Sequence, residues 1–240
     1  MLIKKGKFIP LAPATIQGTY YSEATNINDR GDIVGQMLDD NGFGHGFLVK
    51  DGVLTMLDFP GASETFALGI NDSGIVAGYW DLLDADGNTL AVHAFTWKNG
   101  AFTQFDFPGA QATAFFGINA RGDRVGVWLP DVNSPIEHGL ACPKKDQCFS
   151  FDAPVAGTIL TQADEINAHG QIVGVYIGAD DVSHAFLVVG ATFTSFDFPG
   201  ATQTSAYGIN SAGQVVGKYS DPDGSTHGFL AEPAQKGKPQ

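Results

Sequence analysis

The sequence predicts an all-β protein, a five-bladed β-propeller with four antiparallel strands in each blade. The motif Ile-Asn-x-x-Gly occurs five times, and successive copies are 43 to 48 residues apart, a period typical of propeller blades. Each copy contains four short segments that read as strands, separated by turn residues. The composition also fits short strands and tight turns, because the 240 residues include 31 glycines, 12 prolines and 18 phenylalanines.

Each repeat begins with an inner strand that ends at Ile-Asn, followed by a tight turn. We interpret the Asn as a residue that bonds its own backbone, and the Gly three residues later as a source of positive φ. A second strand contains another glycine seven residues after the Asn. A variable loop then leads to a third strand that starts at His, and the fourth strand ends at Phe-Asp-x-Pro or a near match. The five copies start at Ile27-Asn28, Ile70-Asn71, Ile118-Asn119, Ile166-Asn167 and Ile209-Asn210.

The third and fourth strands can be aligned from the hairpin that joins them. In the second repeat Asn99-Gly100 is typical of a two-residue turn, which places Trp97 opposite Phe102. This register puts the His opposite the Asp in four repeats, and we interpret the pairs as structural hydrogen bonds between outer strands. A shared metal ion is excluded because the His residues lie too far apart, on the third strands, to converge. The pairs are His45 with Asp58, His93 with Asp106, His138 with Asp152, and His184 with Asp197.

The fifth repeat lacks a fourth strand of its own. Residues 4–8 resemble residues 98–102, so we expect an N-terminal strand, about residues 3–13, to complete the C-terminal blade and close the ring. Closure would remove exposed sheet edges. His227 would then face Ala12 instead of an Asp. The predicted organisation is one domain, residues 1–232, followed by a disordered tail, residues 233–240.

Family resemblance rests on the start of the third strand. His-Ala-Phe at His93 and His184, and His-Gly-Phe at His45 and His227, together with the Ile-Asn-x-x-Gly cores, resemble the HAF-repeat family of predicted extracellular bacterial proteins. The third repeat departs from the pattern with Leu140 in place of the Phe. The resemblance implies a bacterial protein that is secreted, periplasmic or on the cell surface, and it implies no settled activity.

The two cysteines support the same compartment. The hairpin register places Cys142 directly opposite Cys148, which predicts a disulfide, with free buried thiols as the alternative. A disulfide points to an oxidising compartment. Met1 to Lys7 lack the apolar core of a signal peptide, so we expect that the native signal peptide is absent from this sequence.

Charge excludes some partners. The 13 basic and 26 acidic side chains give a net charge of −13, which would repel a nucleic-acid backbone or an anionic membrane. No apolar run approaches the ~20 residues of a membrane-spanning helix. The remaining candidates are extracellular ligands such as glycans.

Aromatic residues occupy one position at the end of the second strand in four repeats. An aromatic ring beside Asp and Asn suits sugar binding, because the ring covers a pyranose face and the polar groups bind its hydroxyls. The alternative is that these rings cap the core between blades. The candidate binding residues are Trp80, Trp128, Tyr176 and Tyr219, with Asp81, Asp131, Asp180 and Asp221 in or beside the adjoining loops.

Two further groups of acidic residues break the repeat pattern. Asp84, Asp86 and Asn88 could offer oxygens to calcium, although no bidentate Glu follows, and a solvated turn is the alternative. Asp164 and Glu165 on the inner strand of the fourth repeat, and Glu23 in the first, could perform acid–base chemistry on a glycan. Solvated channel charges are the alternative there. Glu137, which precedes His138, is another acidic residue that has no acidic counterpart in the other repeats.

We therefore favour binding over catalysis, without deciding between them, and expect an exported, multivalent, lectin-like module with rim sites between blades that is monomeric. No cofactor is expected apart from the calcium alternative. The competing hypotheses are a glycan-active hydrolase or lyase with one acidic site at the channel mouth, and a protein-interaction scaffold. The fold does not choose among them, because propellers host many functions.

Overall fold

The computed structural model describes residues 2–4, 7–9, 19–143 and 147–233 of the chain, and the side chains of residues 21–143 and 147–233. These ranges contain 21 β-strands and no helix, which confirms the all-β class. The predicted tail lies outside the described residues from position 234 onward. So do residues 10–13 of the predicted closing strand, Ala12 among them.

The strands follow the repeats. The N-terminal segment forms β1 (Leu2–Lys4) and β2 (Lys7–Ile9). The first repeat forms β3 (Thr19–Ile27), β4 (Ile33–Asp39), β5 (Gly44–Lys50) and β6 (Val53–Leu57). The second forms β7 (Glu64–Ile70), β8 (Val76–Leu83), β9 (Thr89–Lys98) and β10 (Ala101–Phe105). The third forms β11 (Ala112–Ile118), β12 (Arg124–Leu129), β13 (His138–Cys142) and β14 (Phe149–Phe151). The fourth forms β15 (Leu160–Ile166), β16 (Ile172–Ile177), β17 (Ser183–Val189) and β18 (Thr192–Phe196), and the fifth forms β19 (Gln203–Ile209), β20 (Val215–Ser220) and β21 (Thr226–Ala231).

The repeats are hydrogen-bonded into sheets of four, eight, four and three strands. The eight-stranded sheet combines the second and third repeats, because a single parallel bridge joins Ala112 of β11 to Val92 of β9. Four antiparallel strands are present in the first, second and fourth repeats, and three in the fifth. Strands β1 and β2 form a two-stranded sheet of their own, with Ile3 opposite Phe8. The described sheets therefore do not show a closed ring of five blades.

The chain divides into two compact units. The first comprises Met1–Gly122 and Trp128–Ser134, and the second comprises Asp123–Val127 and Pro135–Gln240. In the first unit, Val34 and Leu48 of one repeat pack against Ala67, Val76 and Phe95 of the next. In the second unit, a similar cluster contains Val125, Ala141, Ala163, Tyr176 and Phe186. Each core thus lies between sheets, where the inward residues of consecutive repeats meet.

The Ile-Asn-x-x-Gly turns form as predicted and also link consecutive repeats. The Asn71 Oδ1 accepts hydrogen bonds from the backbone N–H groups of Ser73 and Ile75, each at 3.0 Å, and Gly74 has a φ of +70°. The Asn71 Nδ2 donates to the backbone carbonyl of Asn119 in the next repeat at 3.0 Å. The same inter-repeat bond runs from Asn28 to Asn71 and from Asn167 to Asn210. The sequence predicted the turn but not the connection.

In four repeats the second glycine makes room for the Phe of the His-x-Phe motif. A Cβ on Gly78 would collide with the backbone carbonyl of Phe66 and would lie 3.1 Å from the ring of Phe95. Phe95 is fully buried, so neither neighbour can move away freely. The same arrangement pairs Gly35 with Phe47, Gly174 with Phe186, and Gly217 with Phe229. The two motifs therefore recur together because the ring packs on the glycine.

A buried threonine ties the end of one repeat to the start of the next. The Thr65 Oγ1 on β7 accepts a hydrogen bond from the backbone N–H of Phe59, which follows β6, at 2.9 Å. The hydroxyl satisfies a donor at the sharp change of direction between sheets. Equivalent bonds join Thr113 to Phe107, Thr161 to Ala153, and Thr204 to Phe198.

Candidate functional site

The predicted pairing of His with Asp is confirmed in all four repeats. The His Nδ1 lies 3.0 Å from Oδ1 of Asp58 in the first repeat and 2.6 Å from Oδ1 of Asp106 in the second. The corresponding contacts to Asp152 and Asp197 are both 2.9 Å. The strand registers agree with the predicted ones throughout. Each pair joins the start of a third strand to the end of a fourth.

A further carboxylate lies at Nε2 of His184 and of His45, where Asp39 is 3.9 Å away, and the fifth-repeat His227 also has one. Asp180 lies 3.0 Å from Nε2 of His184, and Asp221 lies 3.0 Å from Nε2 of His227. Burial opposes protonation of His184, but the hydrogen bonds to Asp197 and Asp180 outweigh it and raise the pKa above 6.5. Asp180 and Asp221 thus serve as partners of His.

Trp80 does not offer a free ring face, which corrects its assignment as a sugar-stacking residue. Its indole is only 7% exposed. Phe59 covers one side with ring centroids 4.6 Å apart, and His93 stacks at 4.4 Å. The ring therefore fills the core between two sheets, as the alternative interpretation proposed.

Tyr176 is corrected in the same way. It is buried, its ring stacks on His184 at 5.1 Å, and its hydroxyl lies 2.9 Å from Oγ of Ser195. A buried ring with a satisfied hydroxyl stabilises the packing between strands and leaves no surface for a sugar.

Tyr219 is the rim aromatic with the most accessible surroundings. Its ring stacks in parallel on Phe198, with centroids 3.7 Å apart and an interplanar angle of 5°, and His227 lies beside it at 5.2 Å. Phe198 is 38% exposed, so the pair forms an aromatic platform at the surface. Asp221 stands next to it through its contact with His227. We call this group, Phe198, Tyr219, Asp221 and His227, the fifth-repeat platform.

Trp128 forms a less regular pair. Its half-buried ring tilts by 34° against Phe107, with centroids 4.9 Å apart. Asp131 in the following loop is exposed, and its Oδ1 accepts the backbone N–H of Asn133. The Phe that partners Trp80, Trp128 or Tyr219 belongs to an Asp-Phe-Pro motif. The sequence contains that signal, since Phe59, Phe107 and Phe198 share it, but it does not show that these rings lie against the rim aromatics.

Asp81 is buried instead of lying in a solvated loop. It is 7% exposed and lies opposite Glu64 in the register of β7 and β8. Burial, and then the charge of Glu64, raises the pKa of Asp81 to about 6. Burial also raises the pKa of Tyr79, together with the charges of Asp81 and Glu64, to about 12. The Glu64 Oε1 accepts the backbone N–H of Gly44 at 2.8 Å. The sequence did not point to Glu64.

The Asp84 loop is a self-contained turn. The Asp84 carboxylate accepts hydrogen bonds from the side-chain amide of Asn88 and from the backbone N–H groups of Asn88 and Asp86. These bonds hold the pKa of Asp84 below its usual value, and the bond from the Asn88 side chain has the largest effect. Its oxygens are thus occupied by the loop itself. Within residues 21–143 and 147–233, no three His, Cys, Asp or Glu side chains form a metal-binding group.

Of the acidic candidates of the fourth repeat, Asp164 lies within electrostatic reach of Glu137. Asp164 is the extra residue of a β-bulge in β15, and its Oδ1 accepts the Gln162 side-chain amide at 2.6 Å. Burial, and to a smaller extent the charge of Glu137, raises the pKa of Asp164 to about 7. Burial also raises the pKa of Glu137 to about 7. One oxygen of each group is buried without a hydrogen-bond partner among the described residues.

The other acidic candidates are differently placed. The Glu165 Oε1 accepts the backbone N–H of the adjacent Ile166 at 2.9 Å. Glu23 is exposed and accepts hydrogen bonds from Tyr21 and Gln36. Glu23 belongs to the first compact unit, whereas Asp164 and Glu165 belong to the second.

The predicted disulfide is confirmed. Cys142 and Cys148 are bonded at 2.03 Å, with their Cα atoms 4.0 Å apart. Residues 144–146 of the enclosed loop lie outside the described residues.

One groove of the second unit contains none of the predicted site residues. It has a volume of about 520 Å³ and an apolar floor that includes Leu187, Phe196 and Val215, with His169 and Glu232 at its edge. Among the described residues, no helix is long and apolar enough to cross a membrane.

Comparison with known proteins gives similarities of structure only. No family model and no curated protein matches the chain. The β-propeller domain of the trilobed protease from Pyrococcus furiosus aligns with 90% of this chain and 82% of its own, at 9% identity and a TM-score of 0.47. A mutant of the Aleuria aurantia lectin in complex with Fucα1-6GlcNAc aligns with 90% of this chain and 75% of its own, at 12% identity and a TM-score of 0.46. Membership in the HAF-repeat family stays a prediction.

Proposed function

We propose that the protein is an exported glycan-binding module whose main site is the fifth-repeat platform. The observation that carries the proposal is the parallel stacking of Tyr219 on Phe198 at 3.7 Å, with Phe198 exposed. Tyr219 holds the Phe198 ring flat, and a pyranose face can stack on an aromatic ring fixed in this way. Asp221 and His227 supply acceptor and donor groups for sugar hydroxyls beside it.

The sites are unequal under this proposal. The rings of Trp80 and Tyr176 are buried, and Trp128 is only half-buried and tilted against Phe107. A second, weaker site at Trp128 and Asp131 would make binding bivalent, which increases avidity when both sites reach one glycan. Five equivalent sites would contradict this arrangement.

The first experiment is a glycan array with labelled protein, followed by calorimetric titration of any hit. The proposal predicts a stoichiometry of one or two per chain and loss of binding in Tyr219→Ala. A hit with five equal sites, or one that binds Tyr219→Ala as well as the wild type, would count against the fifth-repeat platform. No binding across the array would favour a protein-interaction scaffold.

We also propose that the repeats close into a five-bladed propeller completed by residues 3–13. Val216 of the fifth repeat is 49% exposed, whereas its counterparts Val34, Val125 and Val173 are fully buried. Ile27 of the first repeat is likewise 49% exposed, whereas its counterparts Ile70, Ile118 and Ile166 are 4 to 6% exposed. Apolar faces at both ends of the repeat series are what closure would cover. Deletion of residues 2–13 should then lower Tm sharply.

A second candidate function rests on the pair of Glu137 and Asp164. Burial raises the pKa of each carboxyl group to about 7, so that at neutral pH one group can act as acid while the other acts as base. This would suit a glycan hydrolase or lyase. Release of reducing ends that disappears in both Glu137→Gln and Asp164→Asn, but persists in Glu23→Gln, would support this function.

The disulfide supports export, because such bonds persist in oxidising compartments. We propose a secreted, periplasmic or surface-exposed bacterial HAF-repeat protein that acts as a monomer. Fractionation of the native host, with detection of the oxidised protein, tests the location.

A further inference from the structure

Two carboxyl groups lie opposite each other at one end of the strand pair β7–β8 in the second repeat. The corresponding two positions of the other repeats are not both acidic. Glu64 of β7 lies opposite Asp81 of β8. The corresponding pairs in other repeats are Tyr21 with Leu38, Leu160 with Ile177, and Gln203 with Ser220. Those repeats form the same strand pair without carboxylates. The acidic pair is therefore not required for the sheet.

The protein satisfies the pair only in part, because in the part of the chain that the structure describes the Asp81 carboxyl group hydrogen-bonds with Glu64 alone. Asp81 is 7% exposed, and its Oδ1 is buried with no hydrogen-bond partner among the described residues. Neither carboxyl group forms an ion pair with Lys or Arg within residues 21–143 and 147–233. Like charges facing each other across a strand pair are unfavourable, and a buried charge without a counter-ion costs free energy.

Glu64 is held in place by the neighbouring repeat. Its Oε1 accepts the backbone N–H of Gly44 at 2.8 Å. A side chain at position 44 would collide with the Phe66 ring, since a Cβ there would lie 2.6 Å from it. The absence of that side chain lets β5 approach β7 closely enough for this bond. One carboxylate is thus fixed in direction, and the other is buried beside it with an unused oxygen.

We propose that Glu64 and Asp81 bind a divalent cation that prefers oxygen ligands, Ca²⁺ or Mg²⁺. Carboxylate oxygens are the ligands of these ions, and one or two carboxylates with several waters are sufficient for Mg²⁺. The absence of His and Cys from the pair disfavours softer transition metals. A bound cation would pair with the Asp81 Oδ1 and cancel the repulsion between the two groups. The net charge of −13 favours cation binding in general. The inference does not depend on the proposed glycan site.

The experiment uses the full chain, stripped with EDTA at pH 7.5, and titrates it with Tb³⁺, which replaces Ca²⁺ at oxygen sites. Trp80 is next to Asp81 in the chain and serves as the sensitiser of Tb³⁺ luminescence. We expect saturable luminescence that Ca²⁺ or Mg²⁺ displaces, and affinity that falls by more than about tenfold in Asp81→Asn. Asp84→Asn is the matched control, because that exposed carboxylate is bound by its own loop and its loss should leave the signal unchanged.

Glu64→Gln is the second variant, in case Asp81→Asn does not fold. It keeps an oxygen for the Gly44 N–H and should lose the cation as Asp81→Asn does. A rise of Tm with Ca²⁺ or Mg²⁺ in the wild type, absent in both variants, is the independent readout. Unchanged Tb³⁺ affinity in Asp81→Asn and Glu64→Gln, loss of the signal in Asp84→Asn, or no saturable signal in the wild type would each overturn the proposal.

Discussion

Replacing Asn71 by alanine should lower the free energy of unfolding by about 1.5–4.5 kcal/mol. The substitution removes three hydrogen bonds, two from Oδ1 to the N–H groups of Ser73 and Ile75 and one from Nδ2 to the Asn119 carbonyl. Each contributes about 0.5–1.5 kcal/mol net, and more if its partner stays buried and unpaired. Asn71 is itself buried, so water can replace these bonds only in part. Part of the loss comes from the bond between repeats, from Asn71 to Asn119.

Urea unfolding followed by tryptophan fluorescence measures the change. Asn71→Asp keeps the acceptor oxygen but replaces the donor to Asn119 by a buried carboxylate oxygen, so it should also destabilise the protein. Asn88→Ala removes an exposed loop Asn and should change stability by less than about 1 kcal/mol. If Asn71→Asp were as stable as the wild type, the buried bond from Asn71 to Asn119 would not contribute to stability. If Asn71→Ala matched Asn88→Ala, the account of the turn would be wrong.

Three further perturbations follow from the structure. Replacing Cys142 and Cys148 together by serine should cost about 2 kcal/mol in thermal unfolding, as for a cross-link that closes a short loop, and a reduced wild type as stable as the oxidised one would contradict this. In EDTA, Asp81→Asn should stabilise the protein by about 1–3 kcal/mol at pH 8 but not at pH 3.5. The pKa of Asp81 is raised in the folded protein, so the wild type loses stability as pH rises from 3.8 through about 6. An equal effect at both pH values would refute the burial of this charge. The pKa of His184 is raised in the folded protein, so its stabilising contribution is complete below pH 6.5 and is lost as pH rises through the folded-state pKa. His184→Gln should therefore lower the free energy of unfolding more at pH 5.5 than at pH 9. A loss of stability that does not depend on pH would exclude the ionic contribution.

Strand register was predictable because the repeat supplies five versions of one solution. The Asn99-Gly100 turn fixes one hairpin, and side chains alternate with a period of two. The pairing of His93 with Asp106, and of Cys142 with Cys148, followed from that arithmetic alone. Local turn chemistry and alternation carry this information directly in the sequence.

Burial at the rim was not predictable from a repeat taken by itself. Trp80 is buried because Phe59 of the preceding repeat covers it, whereas the equivalent Phe198 leaves the Tyr219 platform exposed. The link from Asn71 to Asn119 has the same origin, since it joins residues of different repeats. Single-repeat patterns describe what lies within a sheet and are silent about contacts between sheets.

The comparison of Phe198→Ala with Phe149→Ala tests the central claim most directly. Both residues are exposed phenylalanines of the second unit, but Phe149 lies on β14 and stacks only loosely on Phe151, at 6.4 Å. Titration with the strongest array ligand should show binding lost in Phe198→Ala and unchanged in Phe149→Ala, with both variants folded by circular dichroism. Equal binding by Phe198→Ala and the wild type would contradict a glycan site at the fifth-repeat platform.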